Sequence, residues 1–199
     1  ANMTVRYLRT VLGDVPTDSL GLILPHEHLF TDLRGPDAPG YAQADPKLVG
    51  SVMLPYLKKA HQAGATALVE CSTIGVGRNI EILRSLAKST RVHLLAPTGL
   101  YREDFIPEIY RDQTIQDIVD LFIHEINGGI GMSRSKAGFI KIAMSDDGPR
   151  PIEERNLRAA ARASQATGAA IASHTIGGET AMAEIEILQM QKKIRSRVK

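Results

Sequence analysis

The sequence predicts an α/β fold built on a parallel sheet covered by helices. Three observations predict it. Short apolar runs alternate with longer amphipathic segments along the whole chain. The runs are almost continuously apolar instead of alternating, as strands buried on both faces require. Capping residues and glycines punctuate the segments between them. The runs are Gly21 to Leu24, Ala67 to Cys71, Val92 to Ala96, Gly138 to Ala143 and Ala169 to Ser173. Each is too short for a buried helix and several are rich in β-branched residues, which predicts five strands.

The helices follow in order. Asp45 before Pro46 is an N-cap followed by proline at the first helical position, and Gly64 closes that helix. Pro55 lies within it and is expected to kink or interrupt it. Asn79 to Ser89 aligns Ile80, Leu83, Leu86 and Ala87 on one stripe. Thr114 with Asp117 opens the next helix. Its apolar face runs from Ile115 to Ile126, and Gly128-Gly129 ends it. Pro151 to Thr167 is Ala-rich and stops at Gly168, and a last helix runs from Glu179 to about Ile194. This order suits either an open doubly wound sheet or a (β/α) barrel. Gly75-Val76-Gly77 lacks the third glycine of a nucleotide-binding fingerprint and reads as a turn.

The chain of 199 residues is long enough for one domain, residues 1–199, with a sizeable core. A net charge of +2 without a basic block argues against a nucleic-acid partner. No run reaches membrane-spanning length, and the N-terminal stretch Ala1 to Arg6 lacks the apolar core of a signal peptide. The single cysteine, Cys71, excludes an intramolecular disulfide and fits a reducing, cytoplasmic setting.

In both architectures function gathers beyond the C-terminal ends of the strands. The first strand leads into His26-Glu27-His28, and residues i and i+2 of a strand point to one side. Neutral imidazoles so placed suit zinc and its first-row relatives, although two polar residues at a strand end read the same way. The second strand delivers Glu70, Cys71, Ser72 and Thr73, the third Thr98 to Tyr101, and the fifth His174. Lys141 stands between Ile140 and Ile142 in a strand that otherwise reads as buried. A buried ammonium needs a partner or neutralisation. Three accounts are open: an ion pair with Glu70, a lysine snorkelling to the strand end, or an amine converted by carbon dioxide into a metal-bridging carbamate. His61 and His124 fall on helices and His93 early in a strand, which reads as structural. Cys71 could act as a nucleophile, yet no partner is identifiable and a small buried strand residue explains it.

These residues resemble the phosphotriesterase family of the amidohydrolase superfamily, including the phosphotriesterase-like lactonases. The likeness is carried by His26-Glu27-His28, by Gly75-Val76-Gly77-Arg78-Asn79, and by Thr98-Gly99-Leu100-Tyr101. Gly138-Phe139-Ile140-Lys141 and Ser173-His174-Thr175 complete it. It extends from about Thr10 to about Leu188, with the motifs in the family's order.

The resemblance implies a (β/α)8 TIM-type barrel with a binuclear centre of zinc, manganese, cobalt or iron. His26 and His28 would hold the more buried metal, carbamylated Lys141 would bridge the two, and His174 would hold the exposed one. Tyr101 matches a position near the substrate pocket. The implied reaction is attack of a metal-activated hydroxide on a lactone, carboxylic ester or organophosphate triester. The family barrel has eight strands, and only five β/α units are read here. The histidine of the sixth strand and the proton-handling aspartate of the eighth have no counterpart. The expectation is therefore a partial barrel with open edges. Its helix faces along residues 115–126 and 181–188 would lack neighbours, and it would associate as a homo-oligomer. The other readings are an inactive truncated barrel serving as a binding or oligomerisation module, and a different amidohydrolase such as a cyclic amidase or deaminase.

Overall fold

A hairpin that the apolar pattern does not reveal precedes the first parallel strand. The computed structural model describes residues 6–196; residues 1–5, most of the stretch read as lacking a signal-peptide core, and residues 197–199 lie outside the described residues. The hairpin pairs β1 (Tyr7–Thr10) with β2 (Gly13–Pro16) in antiparallel register. Its turn residue Val11 is 1% exposed, and its amide donates to Leu94 O at 2.8 Å. A buried valine and a leucine are not turn signals, so the pattern passes over them.

The parallel strands are β3 (Leu22–Glu27), β4 (Ala65–Glu70), β5 (His93–Leu95), β6 (Pro97–Thr98), β7 (Phe139–Ala143) and β8 (Ile171–His174). They form two ladders, β3-β4-β5 and β6-β7-β8. The third expected strand, Val92 to Ala96, is thus divided. His93 to Leu95 pair with β4, and Pro97 and Thr98 pair with β7. Pro97 has no N–H to extend the first ladder, and Ala96 O accepts from Gly138 N at 2.9 Å. Strand order follows chain order without the reversal of a doubly wound sheet. Among the described residues the sheets do not close: the first is edged by β3 and β5 and the second by β6 and β8, so that β3 and β8 are the outermost strands.

The helices are α1 (Pro46–Gln62), α2 (Ile80–Lys88), α3 (Ile115–Asn127), α4 (Pro151–Thr167) and α5 (Gly178–Ser196). Asp45 caps α1 by accepting from Lys47 N at 2.8 Å, and Asn79 caps α2 by accepting from Ile82 N at 3.0 Å. Thr114 and Asp117 form the reciprocal capping box of α3. Of the kink or interruption expected at Pro55, the interruption is absent: α1 runs on through it. No described helix is long and apolar enough to cross a membrane.

Two apolar layers result. Helices pack on one face of the sheets over Leu57, Leu68, Ile82, Leu86, Leu94, Phe122, Ile140 and Ile142. Ala159, Ala160 and Ala163 are fully buried and let α4 lie close to its neighbours. The other face carries a smaller cluster of Ala67, Cys71, Leu95 and Phe139. The α3 face expected to be bare is covered, with Ile118, Phe122 and Ile126 at 2% exposure or less. On α5, Met182, Ile185 and Met190 are exposed, as is Ile176 just before it.

Candidate functional site

Register decides which side chains meet beyond the strand ends. In β7 and β8, Lys141 pairs with Ala172 and Ala143 with His174, so Lys141 and His174 share a face two residues apart. In β3 and β4, Ile23 pairs with Ala67, Leu24 with Leu68 and Glu27 with Glu70, with a register shift between Leu24 and Glu27. The shift absorbs one extra residue, as a bulge does, and turns His26 to the face of Ile23. The small apolar cluster of Cys71, Leu95 and Phe139 lines that same face. The His26 and His28 ring centroids lie 5.4 Å apart, edge to face.

His28 is held by the end of β4 and the loop that follows it. Its Nδ1 is 2.9 Å from Ser72 Oγ, and Ser72 Oγ donates its own proton to Phe30 O at 3.1 Å. Both contacts are satisfied when Nδ1–H donates to Ser72, which leaves Nε2 as a bare lone pair suited to a metal. Glu70 completes the support. Buried at 1% exposure, it accepts from Leu29 N at 2.5 Å and Ser72 N at 2.8 Å, and stands 3.6 Å from His28 Nδ1.

Glu70 is therefore committed elsewhere, and the expected alternative of a Lys141–Glu70 ion pair is not formed. Nor does Lys141 snorkel: it sits mid-strand at 2% exposure. It makes no hydrogen bond or ion pair with any described residue. Burial pushes its amine below the usual lysine range, against the opposing pull of Cys71 and Glu184. Burial also lowers His26 and His174, and the positive charge of Lys141 lowers both further. Neutral imidazole, the ligand form, is thereby favoured at both positions.

Tyr101 reaches the site because Gly99 makes room. Gly99 has φ +123°, and a Cβ there would lie 1.7 Å from Lys141 O. The Tyr101 ring then sits 5.4 Å from His174 and 5.7 Å from Phe105, and burial raises its phenol. Fully buried Glu153 pins the surrounding loops, accepting from Ser145 N and Oγ, Arg150 N and Glu103 N at 2.7–3.0 Å. Burial opposes its ionisation, but these donors outweigh it and hold the carboxyl below its ordinary value.

The structure thus brings His26 and His28 together and puts Lys141 and His174 on one face with Tyr101 over His174. Among the described residues no three His, Cys, Asp or Glu side chains stand close enough to hold a metal by themselves. The donor set is a histidine pair supplemented by a lysine, with His174 further along the face. It fits one ion, given an anionic donor on Lys141. Cys71 is buried and burial raises its thiol, which accords with a small buried strand residue. His61, His124 and His93 lie on α1, on α3 and at the start of β5. A groove of about 820 Å³ between the ends of α1 and α2, lined by Lys58, His61, Lys88 and Arg91, lies at the opposite end of the strands from this chemistry. Sequence reasoning names Ser72 but not its hold on His28, and it misses Arg102, Phe105 and Glu153. No spacing signals a contact between separate loops.

Comparison with known proteins agrees with this geometry. The chain is 33% identical over 163 residues to an aryldialkylphosphatase of Saccharolobus solfataricus, covering 81% of this chain and 51% of that protein. It is 30% identical over 181 residues to a phosphotriesterase homology protein of Mycobacterium tuberculosis, covering 86% and 55%. A solved structure from the engineering of organophosphate hydrolysis activity from a weak promiscuous lactonase template matches with a TM-score of 0.84 at 28% identity, covering 94% of this chain and 60% of that one. The chain spans about half the length of these curated relatives. The model of the phosphotriesterase family matches residues 6–198, and the chain belongs to that family.

Proposed function

We propose that this chain forms the first five β/α units of a (β/α)8 barrel whose strand ends carry a metal-dependent hydrolase site. Its substrates are lactones, carboxylic esters or organophosphate triesters. The observation that carries this reading is Lys141. A lysine at 2% exposure with no ion-pair partner among the described residues is costly as an ammonium. Its lowered pKa favours the free amine, whose nitrogen attacks carbon dioxide, loses a proton and becomes a carbamate anion facing His26 and His174.

His26 and His28 would hold the first divalent ion, with Lys141, as its carbamate, a third donor. His174 would be the chain's donor toward a second ion. Such a centre would activate water and polarise the carbonyl or phosphoryl oxygen under attack. Ser72 and Glu70 keep His28 in its ligand tautomer. Tyr101 and Phe105 form the apolar wall against which the substrate is oriented. The free thiol of Cys71 suits a cytoplasmic protein, and the open edges of β3 and β8 suit a homo-oligomer.

Metal analysis and intact mass of the purified chain test this reading. About one zinc, manganese, cobalt or iron per chain is expected, with a mass increment of one carbon dioxide that Lys141→Ala abolishes. Metal-stimulated hydrolysis of a lactone such as γ-butyrolactone is the expected activity. Absence of both metal and carbamate from protein prepared with bicarbonate and zinc would refute it. No observation favours a cyclic amidase or deaminase over this reading.

A further inference from the structure

Arg102 offers more donor capacity than the fold uses. Its guanidinium lies over the Phe105 ring at 5.5 Å from the centroid. Phe105 meets Tyr101, and Tyr101 meets His174, at 5.7 and 5.4 Å. A short run of ring contacts, one edge to face and one tilted, therefore connects this cation to the end of β8. Of its five N–H groups, only those on Nη1 have an acceptor among the described residues, Asp146 Oδ1 at 3.4 Å. That is the long limit of a hydrogen bond, and the Asp146 side chain is 54% exposed, so water competes for it. The Arg102 Nε is buried without a partner among the described residues.

Nearby carboxylates do not make up the deficit. Glu103 and Asp104 are taken by Arg150 at 3.0 and 3.6 Å, and Glu153 is saturated by backbone and serine donors. Arg102 is thus a surplus cation on the loop that carries Tyr101, set over the Phe105 ring and tied loosely to one exposed acid. A guanidinium so held is preorganised to grip a carboxylate with two parallel hydrogen bonds. A neutral lactone or triester offers only uncharged oxygens, without the paired anionic oxygens that match the guanidinium fork.

We propose that Arg102 is a specificity-determining residue that binds a non-reacting carboxylate of the substrate by displacing Asp146. The preferred substrates are then anionic lactones or esters rather than neutral ones. This rests on the hydrolase reading above, which it narrows. No bond is made or broken at Arg102.

The test is binding to the 199-residue chain stripped of metal and then desalted from the chelator, so that neither metal nor a chelator's carboxylates compete with the probe. Two probes of similar size are compared by calorimetry: 5-oxotetrahydrofuran-2-carboxylate, an anionic lactone, and neutral γ-valerolactone. The anionic probe is expected to bind about tenfold tighter. Arg102→Gln should bring the ratio close to one, Arg102→Lys should keep part of it, and Asp146→Asn should raise it. Arg91→Gln removes the same charge at the N-terminal end of β5 and should leave the ratio in place. Equal binding of the two probes, a ratio that survives Arg102→Gln, or no binding of the anionic probe at about 10 mM overturns the proposal. If the Arg102-dependent ratio holds while no metal-stimulated hydrolysis is found, the anion site stands and the hydrolase reading falls.

Discussion

Arg78 and Glu125 form a buried, bidentate ion pair between the loop after β4 and helix α3. Both contacts are 2.7 Å, the side chains are 5% and 7% exposed, and Arg78 Nη1 also donates to Pro97 O at 2.8 Å. Pro97 opens β6, so the pair clamps the point where one ladder gives way to the next. Removing one partner strands the other charge in a dry site. Glu125→Ala should cost about 3–5 kcal/mol in urea unfolding, and the double variant Arg78→Met/Glu125→Leu should recover much of that loss. An unchanged midpoint for the single variant would show the pair to be incidental.

Gly99 should not tolerate a side chain. Its φ is +123°, and a Cβ added to it would meet Lys141 O at 1.7 Å, so Gly99→Ala must displace either the Tyr101 loop or the β7 backbone. A loss of about 3 kcal/mol is expected from chemical denaturation. Zinc retention after dialysis should fall in parallel, because Lys141 moves with its own carbonyl.

Metal content should follow the histidine pair more than His174. His26→Ala or His28→Ala should drop retained metal to a small fraction of wild type, whereas His174→Ala should leave most of it. Inductively coupled plasma analysis after gel filtration gives the answer. Ser72→Ala should weaken retention about tenfold by freeing the His28 ring.

The metal-free chain should lose stability in mild acid. His26 and His174 are held below their ordinary value of 6.5, first by burial and then by Lys141. Below that value the unfolded chain therefore takes up more protons than the folded one. The stability these residues contribute is complete above their ordinary value and is lost as the pH falls through their folded values. Melting temperatures measured in chelating buffer should show this slope, and His26→Asn/His174→Asn should flatten it.

The open edges should drive association. Leu22 and Ile23 on β3 and Ile176, Met182, Ile185 and Met190 beside β8 and on α5 are 36–69% exposed. Sedimentation over a concentration series should show self-association that strengthens with concentration. A cooperatively melting monomer that binds no hydrophobic dye would show that five strands suffice.

The parallel strands and the helices are legible in the sequence because each obeys a local rule: an apolar run, a cap, a closing glycine. The placement of His26 beside His28, and of Lys141 on the face of His174, is legible because strand register carries spacing into space. The N-terminal hairpin is not, because the Val11 backbone is tied by hydrogen bonds to Leu94, Ser135 and Arg84, none near it in sequence. Arg102 is equally silent. Its meaning lies in which acids are already taken, and that depends on how the loops after β6 and β7 meet. The exposed apolar face on α5 can be anticipated, whereas the covered face of α3 cannot, because nothing local marks α4 as its partner.

The division at Ala96 reaches beyond shape. One residue separates the ladder covered by α1 and α2 from the ladder covered by α3, α4 and α5, so few main-chain bonds oblige the two halves to open together. Amide exchange should resolve the molecule into two cooperative units meeting at Ala96. His26 and His28 belong to the first unit, and Lys141 and His174 to the second. An ion gripped by both would act as the rivet between them, and its departure would be felt first as independent breathing of the halves.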